Sequence, residues 1–210
     1  MEKQECLTRL SDLVGHISAM HYEINEEWKR QCDANGYELR NLNKIQVRDL
    51  SSDWTENSAE PYRKFLYSQD LDRFSPHICA GLKIRYRIKM YNSIYSKISK
   101  YISGRESGKV AVRKCLNDIF GIRAIVDADL TFEEIREFIE PRHEHIRCHN
   151  SSKARENQIY VATHIYIEGE DRRLFPWELQ IWLQKDEASN YVSHEAYKQD
   201  YTRWEPVLGR

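Results

Sequence analysis

No run of apolar residues in the sequence approaches the roughly 20 that a bilayer-spanning helix requires, so no membrane-embedded segment is expected. Charge of one sign is also missing: the net charge is -1, which gives no overall attraction to nucleic acid and still allows a local basic patch. The five cysteines (Cys6, Cys32, Cys79, Cys115, Cys148) are odd in number and scattered, with no C-x-x-C pair, and a disulfide framework is not expected. No internal repeat and no low-complexity tract occurs. The opening Met-Glu-Lys-Gln-Glu-Cys is too charged to begin a secretory signal, so a cytoplasmic location is expected. What remains is 210 residues, 40% hydrophobic and 31% charged: one globular domain with an added helical segment, able to bury its own core.

Leu7, Leu10, Leu13, Val14, Ile17, Met20, Ile24 and Trp28 keep a period near 3.6, which predicts an amphipathic helix over 7–28. Its polar face mixes acids and bases, so packing against the core or another copy is favoured over a membrane surface. Asp33-Ala-Asn-Gly36 is a turn signal. Residues 37–75 are polar and hard to read, apart from a short helix over 60–67 with Pro61 in its first turn. From Ile78 onward strands and helices alternate. Strands are predicted near 82–88, 121–126, 158–167 and 175–183. Helices are predicted from Asn92 or Ser93 through Ile102, around 110–116, over 131–139 and over 186–204. Thr131 with Glu134 is a capping-box signature. The expected class is α/β (α+β), a mixed sheet flanked by helices.

Alternation within the strands carries the functional signal. Lys83, Arg85, Arg87 and Lys89 alternate, which on a strand is one basic face. Such a pattern alone is usually a solvated face. Near the other end of the chain, Ile159, Val161, Thr163, Ile165 and Ile167 share one face and Tyr160, Ala162, His164 and Tyr166 the other. Trp177, Leu179, Ile181 and Leu183 oppose Glu178, Gln180 and Trp182. If these two strands are neighbours, Tyr160, His164, Glu178 and Gln180 converge. An acid between Trp177 and Leu179 is costly unless paired or used. His143, His145, Cys148 and His149 form a separate group with transition-metal chemistry; a polar strand and loop is the preferred reading there.

Four segments, in order, carry a family resemblance: Arg87-Ile-Lys89-Met-Tyr-Asn-Ser93-Ile-Tyr-Ser-Lys97, Asp118-Ile-Phe-Gly121-Ile-Arg123, Tyr160-Val-Ala-Thr-His164 and Glu178-Leu-Gln180-Ile, followed by His194 with Tyr197 and Lys198. Each is weak alone. Together they resemble the RelA/SpoT synthetase family, of the small alarmone synthetase type, over roughly half the chain. The resemblance implies a nucleotidyltransferase-like fold. Residues 1–77 then form an N-terminal helical segment packing on the core, 78–204 the synthetase domain and 205–210 a tail.

Members of this family move the β,γ-pyrophosphate of ATP onto a ribose 3′-hydroxyl and release AMP. Matched residue by residue, the resemblance implies that Arg87, Lys89, Ser93, Lys97 and Arg123 bind ATP, Arg87 also being a candidate to stack on adenine. It implies Asp118 and Glu178 as the catalytic carboxylates holding Mg²⁺, with Glu178 additionally the base. Tyr160 would stack on the acceptor base and His164 lie near acceptor phosphate or ribose. Lys153 or Arg155 stands for an upstream acceptor lysine, and Gln180 would orient Glu178.

The chain departs from the family around the acceptor. Gln158-Ile159 replaces an Asn-Gly pair, Val161 an arginine, and Trp182-Leu183 an Arg-Thr pair. No His-Asp dipeptide occurs, so the metal-dependent hydrolase of long members is not expected. The leading reading is synthesis of (p)ppGpp-type alarmones from ATP and GDP or GTP. The altered acceptor segment favours a rival: a toxin, paired with an antitoxin protein, using the same chemistry on adenine nucleotides or on the tRNA 3′ end. A third reading is an inactive nucleotide-binding module that regulates a partner. Assembly into a homo-oligomer is compatible with all three.

Overall fold

The computed structural model describes residues 1–71, 82–104, 106–155 and 158–193, with backbone alone for 153–155, 158 and 159. Helix α1 spans Lys3–Asn35 and is longer at both ends than its apolar stripe. The polar residues after Trp28 continue the helix, and the turn signal acts only at its last member. Gly36 takes φ +69°; its N–H closes onto the Asp33 carbonyl and that of Tyr37 onto the Cys32 carbonyl. A π-helical turn (Thr55–Ala59) runs directly into α2 (Glu60–Tyr67), with Pro61 in the first turn. Then come β1 (Lys83–Ile88), α3 (Tyr91–Ser103), the single turn α4 (Val112–Cys115) and β2 (Phe120–Val126). Helix α5 (Phe132–Ile139) starts on the Thr131–Glu134 capping box, both hydrogen bonds of which are made.

Strands β3 (Ile146–Asn150), β4 (Lys153–Arg155), β5 (Gln158–Tyr160), β6 (Thr163–Ile167) and β7 (Trp177–Leu183) complete the chain's strands among the described residues. Five of them form one mixed sheet in the order β1-β2-β7-β6-β3, parallel only between β2 and β7. The central strand β7 is buried along nearly all its length, so both faces are covered. The class is α/β with a mixed sheet flanked by helices. Among the described residues no helix is long and apolar enough to cross a membrane.

The strand expected over 158–167 is in fact two. Backbone groups of Val161 bond to the Asn190 side chain in both directions, each at 2.8 Å. That withdraws Val161 from the sheet ladder, and β5 pairs with β4 as a separate hairpin. Asn190 lies in a helical stretch over 187–193, after a 3-10 turn at Gln184–Asp186. The remainder of the helix expected to 204 falls outside the described residues.

One sheet face is the core. Ile122, Ala124, Trp177, Leu179, Ile181, Ile165 and Ile167 pack with Leu10, Leu13, Val14, Ile17 and Ile24 of α1 in a single hydrophobic cluster. A polar chain ties both helices to β7: Trp177 Nε1 donates to Tyr62 Oη of α2 at 2.9 Å, and Tyr62 donates in turn to Asn25 Oδ1 of α1 at 3.1 Å.

His21, on the buried face of α1, lies edge-on to Trp177 with ring centroids 5.2 Å apart and bonds the Phe175 carbonyl through Nε2 at 3.0 Å. A carbonyl only accepts, so Nε2 carries the hydrogen. Gly169, at φ +61°, leaves room for the ring: a Cβ there would sit 2.8 Å from His21 Cε1. Burial is the main cause that lowers the His21 pKa from 6.5 to about 4; the Phe175 bond opposes it and Arg113 adds to it. The unfolded chain therefore takes a proton near pH 6.5 that the folded chain refuses until about pH 4. Stability is lost as pH falls through that window and the loss levels off below it, amounting to about 3 kcal/mol at 1.36 kcal/mol per unit. Urea midpoints between pH 7 and pH 4 are expected to fall less steeply for His21→Gln than for the parent. Equal slopes would remove His21 as the cause.

Candidate active site

The opposite sheet face is built by register. Arg87 lies across from Gly121 and Arg85 from Arg123; Gly121 faces Glu178 and Arg123 faces Gln180; Glu178 faces Tyr166 and Gln180 faces His164; His164 faces His149. Period-2 alternation thus carries one polar surface across all five strands. Gly121 has extended backbone, and its value here is space. A Cβ would meet Arg87 Nε at 3.5 Å and Glu178 Oε2 at 3.9 Å, so any larger side chain would enter the gap between the two.

At one end of this face Asp118 sits in the turn before β2. Lys89, just past β1, is anchored by its N–H to the Ile119 carbonyl at 2.7 Å. Its Nζ donates to Asp118 Oδ2 at 2.6 Å, and Lys97 Nζ on α3 donates to Oδ1 at 2.9 Å. Arg87 Nη2 is 3.9 Å from the same carboxylate. The Asp118, Lys89 and Lys97 side chains are 10%, 12% and 13% exposed, whereas Arg87 is 40% exposed and reaches solvent. Burial works against the Asp118 charge, but the two lysines outweigh it and hold the carboxyl well below its ordinary range. Burial also works against the Lys97 charge, and Asp118 overcomes it, so Lys97 is held above its ordinary value. Ser93 lies in the first turn of α3, beside this cluster in sequence.

Glu178 is the second buried acid. His164 Nδ1 is 2.9 Å from Oε1, and Gln180 Nε2 donates to Oε2 at 2.8 Å. Burial opposes its charge; His164, and further off Lys97, prevail, and its pKa is lowered. His164 Nε2 is 3.0 Å from the Tyr160 hydroxyl, and burial is the main cause that pushes that phenol up to about 12. Tyr160 therefore stands on the same side as Glu178 although it has left the main sheet.

The structure brings Arg87, Lys89, Lys97 and Asp118 into one cluster, and Glu178, Gln180, His164 and Tyr160 into an adjoining one. Arg123 belongs with the second group: it donates to Gln180 Oε1 from Nε at 3.2 Å and Nη2 at 3.0 Å. Lys153 and Arg155 fall on the hairpin strand β4, described by its backbone, where Lys153 pairs with Tyr160. His194, Tyr197 and Lys198 lie outside the described residues. Sequence reasoning missed Tyr191, whose hydroxyl accepts from Arg85 Nη1 at 3.1 Å, and Asn190. Neither sits in a motif. The sequence signal was Trp182 itself, a large aromatic on a polar strand face, which the fold buries.

The histidine-cysteine group does not converge. His143 bonds Ser11 of α1 at 2.9 Å, His145 approaches Glu170 at 3.3 Å, and Cys148 and His149 are adjacent strand residues on opposite sheet faces. Among the described residues no three His, Cys, Asp or Glu side chains are arranged to hold a metal ion. Asp118 and Glu178 offer oxygen donors of the kind a hard cation takes, and both act on Lys97, while Lys89, Lys97, His164 and Gln180 engage those oxygens in this arrangement.

A family model described as "Region found in RelA / SpoT proteins" matches residues 86–202. No curated protein matches the sequence. Among solved structures, a GTP pyrophosphokinase family protein from Streptococcus pneumoniae is 15% identical, with a TM-score of 0.43, covering 73% of this chain and 79% of its own. The small alarmone synthetase 1 from Bacillus subtilis is 12% identical, with a TM-score of 0.37, covering 87% and 82%. The same synthetase bound to AMPCPP is 12% identical, with a TM-score of 0.32, covering 85% and 87%. All three are distant likenesses.

Proposed function

Because the chain belongs to the family defined by the region found in RelA and SpoT proteins, whose model spans more than half of it, we propose that it is an ATP pyrophosphokinase. It transfers the β,γ-pyrophosphate of ATP to the ribose 3′-hydroxyl of GDP or GTP. The observation that carries this reading is the buried Asp118 ringed by Lys89, Lys97 and Arg87, next to a second buried acid on the same sheet face. Phosphoryl transfer needs cations around the triphosphate and anions that organise a metal. This cluster supplies both.

In the proposed reaction the triphosphate lies against Lys89, Lys97 and Arg87, near the N-terminal turn of α3, whose N–H groups suit phosphate oxygens. Arg87, the exposed member, covers adenine or the outer phosphates. Asp118 and Glu178 would hold Mg²⁺, which keeps waters and phosphate oxygens beside one or two protein carboxylates and would neutralise charge on the transferred group. Tyr160 stacks on the acceptor base, and His164 steadies its ribose or phosphate. The acceptor 3′-oxygen attacks the β-phosphorus while its proton passes to Glu178. The bond from the β-phosphorus to the oxygen bridging to the α-phosphate breaks, and AMP leaves with that electron pair.

The test is to offer γ-labelled ATP and Mg²⁺ with GDP, GTP, ATP or deacylated tRNA separately. Label on GDP or GTP, with AMP released, is the expected result. Label on an adenine nucleotide or on tRNA would assign the toxin chemistry instead, a reading that Trp182 in place of the family's arginine favours. No AMP with any acceptor would overturn the enzyme reading. Within the same assay, Lys89→Met is expected to weaken ATP binding about tenfold or more, the scale of one charge-assisted hydrogen bond. Unchanged ATP affinity and turnover would remove Lys89 from the ATP site.

A further inference from the structure

Trp182 is fully buried on the functional face of β7, four residues past Glu178 and two past Gln180. The guanidinium carbon of Arg123 lies 3.5 Å from the centre of its ring. Tyr191 closes over the stack, 5.2 Å from Trp182 ring to ring and 5.7 Å from the same guanidinium carbon. Tyr160 meets the indole edge-on at 6.0 Å and 84°. Among the described residues the indole Nε1 makes no hydrogen bond of ordinary geometry, though Trp182 does act on the Tyr160 hydroxyl beside it.

These contacts close a circuit. Arg123 donates to Gln180, Gln180 to Glu178; Glu178 is joined to His164 and His164 to Tyr160. Both ends of that chain, Arg123 and Tyr160, rest on the one indole. Polarity runs in a fixed sense through it. The Arg123 donors require the Gln180 oxygen, so the Gln180 amide nitrogen must point at Glu178. Arg123 is the diagonal cross-strand neighbour of Glu178, a distance that an arginine side chain spans. Off the indole, its fork would match the carboxylate directly and pair with it bidentately.

We propose that Trp182 is a positioning residue for the transfer: by stacking Arg123 it keeps the guanidinium on Gln180 and off Glu178, and by seating Tyr160 it fixes the acceptor side of the same relay. Glu178 is thereby oriented by a neutral amide and keeps its charge for the reacting groups. This rests on the roles given above to Glu178 and Tyr160. No motif of the family requires an indole here, since Trp182 stands where the family has an arginine.

The experiment compares Trp182→Phe, Trp182→Leu, Arg123→Gln and the Leu/Gln double variant with the parent, recording kcat, KM for ATP and acceptor, and Tm. Trp182→Phe keeps an aromatic face for the cation and is expected to stay within about threefold in kcat. Trp182→Leu is expected to lose about 10- to 100-fold in kcat, the scale of a misplaced reacting group, with KM for ATP held within about threefold. In the double variant no guanidinium remains to collapse onto Glu178, so its loss should not exceed that of the worse single change. Losses that multiply, or a Trp182→Leu enzyme with parental kcat, would overturn the inference. So would a loss that follows Tm alone, with Trp182→Phe falling as far as Trp182→Leu. A parent inactive with every acceptor would instead overturn the pyrophosphokinase reading, and this inference with it.

Discussion

Glu178→Gln is expected to lower pyrophosphate transfer by about two to four orders of magnitude, the usual cost of losing a base or a charge-stabilising group, while ATP binding stays near the parental value. The reasoning is local. Gln and Glu have nearly the same shape, and both neighbours of Glu178 accommodate an amide: Gln180, held in place by Arg123, still donates to its oxygen, and His164, with its proton on Nε2, accepts from its NH2 at Nδ1. What disappears is the charge, and with it a metal donor and the acceptor for the 3′-hydroxyl proton. The triphosphate partners Lys89, Lys97 and Arg87 are gathered on Asp118 and remain. Turnover and ATP affinity should therefore separate. Measured by AMP release and by calorimetric titration with ATP, full activity in a folded Glu178→Gln protein would defeat the mechanism. Equal losses in binding and turnover would move Glu178 from the chemistry to the ATP pocket.

How far the sequence reached is clearest on this same face. Alternation along β1 and β7 was enough to put Arg85 with Arg87 and Glu178 with Gln180, because side-chain direction on a strand follows from position alone. The pairing of β2 with β7, which brings Gly121 to Glu178, was not readable, since parallel neighbours are set by packing and not by any local signal. The break at Val161 failed for a different reason. Residues 158–167 alternate as one strand would, and the Asn190 side chain, 29 residues on, takes the Val161 backbone groups out of the ladder. The motif implies that Arg123 binds ATP. Its stack on Trp182 and bond to Gln180 depend on cross-strand register, which a motif does not contain. The start of helix α5 was legible because its capping box is a local, self-contained chemistry, with Thr131 as the N-cap.

Asp118→Asn should abolish transfer as well, and it should do something that Glu178→Gln does not. The Asp118 carboxylate is the partner of two ammonium groups that are only 12% and 13% exposed. Removing one side of a buried ion pair commonly costs about 3–5 kcal/mol, because the remaining charge keeps its desolvation penalty. Asparagine retains one acceptor oxygen, so the lower part of that range is expected, and Tm should fall clearly below both the parent and Glu178→Gln. The lysines are then two buried cations without their anion. ATP added without Mg²⁺ brings phosphate oxygens to the same place. The Tm of Asp118→Asn is therefore expected to rise more on adding ATP than that of the parent, whose lysines must first leave Asp118. Transfer should stay absent when Mg²⁺ is supplied, since one of the two donors is gone. Thermal unfolding with and without ATP, alongside AMP release, reads both effects. A folded, fully active Asp118→Asn protein would sink the role of Asp118 in the reaction. A protein that loses activity with an unchanged Tm would show that the lysines do not depend on Asp118 in solution, leaving the carboxylate to the metal alone.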